Sequence, residues 1–181
     1  MIVDINTPDF SVVHFPRSGG KYFTLNYCSM SNVEGIHTHD MSKLENKNVL
    51  SIVRDPVDCI ASTVIVAISS NPLIDPARLV DEWIEEYLEA YSAILDSSSI
   101  LVRFNHVINR FEVIAKQLSS IFGHTILNNF RNVAAESIAN YLPSSKPNPN
   151  YDDVRQLVSA NPRIELCYEI YNEALSKCMR I

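Results

Sequence analysis

The sequence predicts an α/β fold in which a short central parallel β-sheet is flanked by helices as a three-layer sandwich. Four short segments have the continuous hydrophobicity of strands that are buried on both faces: residues 11–15, 34–37, 48–53 and 99–104. Each segment is followed by polar residues or by a helical pattern, and this alternation is typical of parallel strands joined by crossover helices. With 181 residues, 46% of them hydrophobic, the chain suffices for one buried core.

The helical segments are bounded by residues that commonly begin or end helices. The predicted ranges are 21–30, 56–69, 76–96, 107–122, 151–159 and 163–179. Pro56 suits a first helical turn, Asp75-Pro76 marks the break after that helix, Asp75 can cap the helix that follows, and Gly123 suits a C-terminal cap. Residues 142–150 are rich in proline, serine and asparagine and are predicted to be a connector.

Charge and cysteine content exclude several classes of protein. A net charge of −6 argues against duplex nucleic acid as a partner, because that partner is bound by clustered lysine and arginine. The four cysteines are widely separated and lack zinc-binding spacing, which favours reduced thiols in a cytoplasmic protein. No secretory signal and no membrane span are visible in the sequence.

The loop after the first predicted strand has the composition of an anion-binding site. Its segment Pro-Arg-Ser-Gly-Gly-Lys, residues 16–21, contains two of the four glycines in the chain and two cations. Gly19 and Gly20 allow backbone N–H groups to turn toward a phosphate at the N-terminus of the next helix. Lys21 is opposed by the helix dipole there, which favours an anionic partner. A tight turn without a ligand is the alternative interpretation.

A second candidate anion site follows the third predicted strand. There Arg54-Asp55-Pro56-Val57-Asp58 leads into a helix that carries Ser62. Arg54 can direct two donors at a phosphate, and the Ser62 hydroxyl can reach the same group. The alternative is a structural ion pair between Arg54 and Asp55, with Pro56 merely beginning the helix.

Together the two segments resemble the sulfotransferase family. Residues 16–22, Pro-Arg-Ser-Gly-Gly-Lys-Tyr, are similar to its 5′-phosphosulfate loop, and residues 50–62, with Arg-Asp-Pro-x-Asp and a helical serine, to its 3′-phosphate motif. The resemblance implies a P-loop nucleoside-triphosphate-hydrolase-like topology and one domain over residues 1–181, with a cofactor-binding core at about 10–125 and a helical part at about 126–181. It also implies 3′-phosphoadenosine 5′-phosphosulfate (PAPS) as donor, adenosine 3′,5′-bisphosphate (PAP) as product, and no metal.

The resemblance assigns roles to single residues. His39 falls on the catalytic histidine of the family, whereas His37 stands where the family has an assisting lysine. Phe104 takes an aromatic position near the adenine, and Lys146 is the nearest cation to a third phosphate segment that has no clear counterpart here. Catalysis is thereby assigned to His39, Arg17 and Lys21. Nucleotide binding is assigned to Arg17, Ser18, Gly19, Gly20, Lys21, Tyr22, Arg54, Ser62, Phe104 and Lys146.

The activity implied is transfer of a sulfuryl group to a hydroxyl or amine of an acceptor. Backbone N–H groups of residues 18–22, with Arg17 and Lys21, would stabilise charge on the bridging oxygen, and His39 would take the acceptor's proton. A sulfuryl group carries less charge than a phosphoryl group, so fixed donors and cations can replace magnesium. The acceptor, whether a small molecule, glycan or peptide, is not specified by these motifs.

Two other functions remain open from the sequence. A kinase using magnesium-ATP is favoured by Gly20-Lys21, but the nucleotide-triphosphate P-loop needs a glycine at Phe15 and a hydroxyl at Tyr22. A nucleotide-binding protein without transfer activity is favoured because the family has hydroxyl residues at positions 20 and 21, where this chain has Gly and Lys. The chain is short for the family, which permits either an open site for a large substrate or a cap from a second subunit in a homo-oligomer.

Overall fold

The structure, a computed structural model, describes residues 8–31, 33–134 and 151–180. It is an α/β fold with one sheet of four parallel strands in the order β2-β1-β3-β4. The strands are β1 (Phe10–Val13), β2 (Gly35–Thr38), β3 (Val49–Val53) and β4 (Ile100–Arg103). All four predicted strands are therefore confirmed, with ends that differ from the prediction by one or two residues.

Seven α-helices and one short 3-10 helix have bounds that the structure gives in full. They are α1 (Gly20–Ser31), the 3-10 helix (Met41–Glu45), α2 (Pro56–Ser70), α3 (Pro76–Asp96), α4 (Phe104–Asn109), α5 (Phe111–Phe122), α6 (Tyr151–Ser159) and α7 (Ile164–Lys177). As predicted, the Asp75 side chain caps α3 by accepting the N–H of Ala77, and Gly123 ends α5 in the left-handed region with φ of 73°. The predicted connector 142–150 lies outside the described residues.

The single helix predicted over residues 107–122 is wrong. The chain breaks at Arg110, which has φ of −135° and ψ of 32° and separates α4 from α5. Phe104 also begins α4 instead of ending β4. The buried residues Val107, Phe111 and Ile114 keep helical spacing across the break, so the apolar periodicity gave no sign of it.

Each face of the sheet covers a separate apolar core, which gives the molecule three layers. One face packs Phe10, Val12, Leu50, Ile52 and Val102 against α1 and α5. The opposite face packs Val13, Val49, Val53 and Leu101 against α2, α3, α6 and α7. Because neighbouring residues of a strand alternate between these cores, the strands are apolar throughout.

The connections place a crevice between two strands. The chain leaves β1 through α1, on one face of the sheet, to reach β2 on one side, whereas it leaves β3 through α2 and α3, on the other face, to reach β4 on the other side. In parallel α/β sheets, ligands bind outside the carboxyl ends of two neighbouring strands whose connections diverge in this way. Here those strands are β1 and β3, and the two predicted anion-binding segments directly follow them.

Exposed ion pairs also join the two C-terminal helices to α2 and α3. Arg155 in α6 forms an ion pair with Asp58 at 3.2 Å, and Arg163 forms one with Glu85. The four cysteines are free thiols, of which three are buried. None of the helices in the described ranges combines the length and apolar character that crossing a membrane requires.

Candidate anion-binding cleft

A cleft of about 510 Å³ lies at the carboxyl ends of β1 and β3. It is lined by nine of the residues to which the sequence assigned a role: Arg17, Gly19, Gly20, Lys21, Tyr22, His39, Arg54, Ser62 and Phe104. His14, His37 and Ile108 also line it. Ser18 lies beneath the cleft, and Lys146 is outside the described residues. The fold thus brings both anion-binding segments and the candidate base into one cavity.

The loop between β1 and α1 presents backbone N–H groups. Arg17 and Gly19 both have positive φ, of 66° and 92°, and left-handed residues within such a loop turn successive amides toward one side. Among the described residues, the amides of Gly19, Gly20 and Tyr22 have no hydrogen-bond acceptor. These are N–H groups of the first turn of α1, where the helix dipole also favours negative charge. The loop is therefore suited to hold an anion.

Ser18 supports the loop from below. Its side chain is fully buried, its hydroxyl donates to the Phe15 carbonyl, and its backbone N–H donates to the same oxygen at 3.3 Å. The Ser18 hydroxyl also lies 4.0 Å from the Cys59 sulfur. Burial raises the pKa of that thiol to about 12, so Cys59 is a packing residue beneath the loop. Ser18 positions the loop and does not line the cleft.

Arg54 links the two anion-binding segments. One of its terminal nitrogens donates to the Arg17 carbonyl at 2.5 Å, and its guanidinium carbon lies 4.3 Å from the centre of the Phe104 ring. This is the geometry of a cation–π contact. The Arg54 Nε is buried and has no hydrogen-bond partner. A buried guanidinium N–H without an acceptor is costly, and an anion in the cleft would supply that acceptor.

Two buried tyrosines of α3 fix the backbone of Arg54. The Tyr91 hydroxyl accepts the Arg54 N–H at 3.0 Å, and the Tyr87 hydroxyl donates to the Arg54 carbonyl at 3.1 Å. Their rings stack with centres 4.3 Å apart. Both side chains are fully buried in the core, and sequence reasoning missed their role in positioning Arg54. The two tyrosines are four residues apart on the apolar face of α3. Two hydroxyl groups at this spacing on a buried helix face are the signal that could have indicated their role.

One histidine of the cleft, His39, has a tautomer that a hydrogen bond defines. His39 Nδ1 lies 2.8 Å from the His14 carbonyl oxygen, which can only accept a hydrogen bond, so Nδ1 carries the proton. In the neutral ring, Nε2 is then the basic nitrogen. His39 is solvent-exposed and lines the cleft. It therefore has the tautomer and the access that a general base requires.

His14 is a buried histidine to which the sequence motifs assign no role. It is 3% exposed, and its Nδ1 donates to the Phe15 carbonyl at 2.8 Å. Desolvation lowers its pKa to about 4, with smaller contributions in the same direction from His39 and His37. Its Nε2 has no hydrogen-bond partner. The ring of His39 lies edge-on to it with centres 4.5 Å apart.

Both glycines of the loop are needed because other side chains occupy the adjacent space. A Cβ on Gly20 would lie 1.9 Å from the His14 Nε2, and a Cβ on Gly19 would lie 2.9 Å from the Phe104 ring. Gly19 additionally has the left-handed backbone that favours glycine. The imidazole of His14 thus fills the space into which a side chain at position 20 would project.

Tyr22 stands at the position where a nucleotide-triphosphate P-loop has its magnesium-binding hydroxyl residue. Its ring packs edge-on against Phe111, with centres 6.1 Å apart, where a nucleotide-triphosphate P-loop has a small hydroxyl residue. Within the described ranges, no group of three or more histidine, cysteine, aspartate or glutamate side chains could hold a metal ion.

Comparison of the chain with known protein families, with curated proteins and with solved structures found no match.

Proposed function

We propose that this protein is a sulfotransferase with the P-loop-like topology of that family, and that it transfers a sulfuryl group from PAPS to a hydroxyl or amine. The observation that carries the proposal is the meeting of three separate segments in one cleft: the loop at 17–22, His39, and Arg54 with Ser62. They lie at the switch point of a parallel sheet, where α/β proteins bind nucleotides.

The chain offers donors for both phosphates of the nucleotide. The unsatisfied amides of the loop, with Arg17 and Lys21, would hold the 5′-phosphosulfate. Arg54 and Ser62 would hold the 3′-phosphate, and the buried, unpaired Nε of Arg54 fits an anionic ligand. Phe104, which already contacts the Arg54 guanidinium, would stack near the adenine.

The same residues suit the chemistry of transfer. When bound, PAPS supplies the sulfuryl group, which passes to the acceptor oxygen or nitrogen as the bond to the 5′-phosphate oxygen breaks and PAP leaves. His39 accepts the acceptor's proton at Nε2 while its Nδ1–H stays fixed by the His14 carbonyl. Loop amides, Arg17 and Lys21 stabilise the charge that grows on the departing oxygen, because fixed donors need no reorganisation.

A thermal unfolding experiment tests the nucleotide preference. At a concentration of about a hundred times its Kd, PAP adds about 2.7 kcal/mol to the free energy of unfolding, which raises the Tm by roughly 5–10 °C. ATP, with or without magnesium, is expected to give no comparable shift. A shift with magnesium-ATP alone would replace the proposal with a kinase, and no shift with either ligand would make both loops structural turns.

Two variants show whether the shift comes from the cleft. Arg54→Gln is expected to abolish most of the shift by PAP, because it removes the guanidinium assigned to the 3′-phosphate. Arg78→Gln is the matched control, since Arg78 is exposed on α3 and pairs with Glu82. An equal loss of the PAP shift in both variants would contradict the assignment of Arg54 to the site.

A transfer assay separates an active enzyme from a protein that only binds the nucleotide. His39→Asn is expected to keep the PAP shift and to lose transfer of radiolabelled sulfate from PAPS to a mixed panel of alcohols and amines. If wild type binds PAP but modifies no member of the panel, the alternative of a binding protein without transfer activity takes precedence.

A further inference from the structure

A second cavity adjoins the anion-binding cleft at His39. It has a volume of about 480 Å³ and lies between the segment that follows β1 and helix α3. His39 lines both cavities, so a ligand in either one would lie beside this residue. We name this second cavity the α3 pocket.

The lining of the α3 pocket combines an apolar wall with negative charge. Phe15 and Trp83 form the aromatic part of the wall, with ring centres 6.0 Å apart and planes at 88°. Ala93, also in the lining, is too small to fill the space beside them. Glu86 and Glu89 add two carboxylates, and the described lining contains no lysine or arginine.

The two carboxylates differ from others on the same helix. Glu82 pairs with Arg78, and Glu85 pairs with Arg163. Within the described part of the chain, Glu86 and Glu89 have no ion-pair partner, although both face the pocket. Residues 83, 86 and 89 follow one another at three-residue spacing, so Glu86 is the helical neighbour of both Trp83 and Glu89. A cation beside Glu86 would lie next to an indole ring and a second carboxylate.

We propose that the α3 pocket binds an acceptor with an apolar body and a cationic amine, which presents a hydroxyl to His39. This inference rests on the proposed sulfuryl transfer, for which the pocket supplies the acceptor class. The apolar body would pack against Trp83, Met41 and Ala93, and the amine would lie between Glu86 and Glu89. An anionic ligand of the same size is disfavoured by the same two carboxylates.

The single tryptophan of the chain reports on the pocket directly. Trp83 is partly buried and lines the pocket, so its fluorescence should change when a ligand binds there. The probes are 2-phenylethylamine, 2-phenylethanol and 3-phenylpropionate, which share a phenyl body and differ in charge. Titrations are made with PAP present, and PAP binding is measured separately by calorimetry. The amine is expected to bind about tenfold more tightly than the alcohol, and the carboxylate more weakly than both.

Matched variants locate the effect. Glu86→Gln with Glu89→Gln should reduce amine affinity about tenfold and leave alcohol affinity unchanged. Glu82→Gln with Glu112→Gln removes the same charge from exposed positions outside the pocket and should change amine affinity less than twofold. Ala93→Leu should weaken the amine and the alcohol alike, because the larger side chain fills the pocket.

The outcomes separate this inference from the proposed function. Equal binding of the amine and the carboxylate, or unchanged amine affinity in the Glu86 and Glu89 double variant, overturns the acceptor class even if PAP binds. If PAP fails to bind while the amine quenches Trp83 in a manner dependent on both glutamates, the amine-binding pocket stands and sulfuryl transfer is rejected.

Discussion

Replacing Gly20 with alanine tests the packing of the candidate site. Gly20 lies in the first turn of α1 and lacks positive φ, so its backbone accepts an alanine. The new Cβ would lie 1.9 Å from His14 Nε2 and 2.0 Å from His14 Cδ2, whereas unstrained contacts need about 3.5 Å. The imidazole must therefore move by more than an ångström.

The cost follows from where the ring is held. His14 is 3% exposed and its Nδ1–H is bonded to the Phe15 carbonyl, so displacement disturbs a packed site. Overpacking of this kind costs about 1–3 kcal/mol, against a gain of up to about 1 kcal/mol from alanine in a helix. We expect Gly20→Ala to be destabilised by about 1–2 kcal/mol. In His14→Ala the space is vacated, so the added methyl group should then cost nothing.

A double-mutant cycle measured by urea unfolding checks this reasoning. The combined His14→Ala and Gly20→Ala variant should be more stable than the sum of the single effects by about 1–3 kcal/mol. Gly35→Ala is the control partner, because its Cβ would meet the Phe10 ring instead, at 2.2 Å, and its effect should add to that of His14→Ala. Additivity of His14→Ala and Gly20→Ala within about 0.5 kcal/mol would refute the proposed contact.

Three further predictions use other features of the cleft and the core. Burial lowers the pKa of His14 from 6.5 to about 4, so between these two pH values the unfolded chain binds more protons than the folded protein. The free energy of unfolding should therefore fall by up to about 3 kcal/mol as the pH decreases from 6.5 to 4. Burial lowers the pKa of His37 too and acts in the same direction, so His14→Gln should flatten the profile only partly. Arg17→Gly should raise the Tm slightly, because glycine adopts the φ of 66° without backbone strain. Calorimetry of this variant should show weaker PAP binding, and a lower Tm would contradict the presence of strain at Arg17. Cys28, half-buried, should be alkylated before the three buried cysteines, and mass spectrometry of the native protein would show any other order.

The sequence predicted the strands well because strands buried on two faces leave an unbroken apolar signal. The order of the strands could not be read, since apolar runs record burial and not neighbours. The break at Arg110 was missed for a related reason. Val107 and Phe111 keep the spacing of one helical face across it, so the signal was continuous where the backbone was not.

The residues of the candidate cleft were predicted where chemistry and position agree. Glycine and arginine directly after a buried strand mark the carboxyl edge of a parallel sheet, and Arg17, Gly19 and Arg54 do line the cleft. His14 was missed as part of the site because a lone histidine at a strand end has no spacing pattern. The His14 ring also needs a residue without a side chain at position 20, because it occupies the adjacent space. A contact of this kind between two distant positions leaves no periodic pattern in the sequence.

The packing of the His14 ring beside Gly20 determines which groups of the loop could bind an anion. In neutral His14 the proton is on Nδ1, so the unpaired Nε2 is an acceptor and repels a phosphate or sulfate oxygen. The imidazole therefore occupies the space that a side chain at position 20 would take, but it offers no hydrogen-bond donor there. Binding of an anion, as proposed, would then depend on the loop amides and on Arg17, Lys21 and Arg54. In a chain of net charge −6, anion affinity would come from this local grouping and not from the overall field.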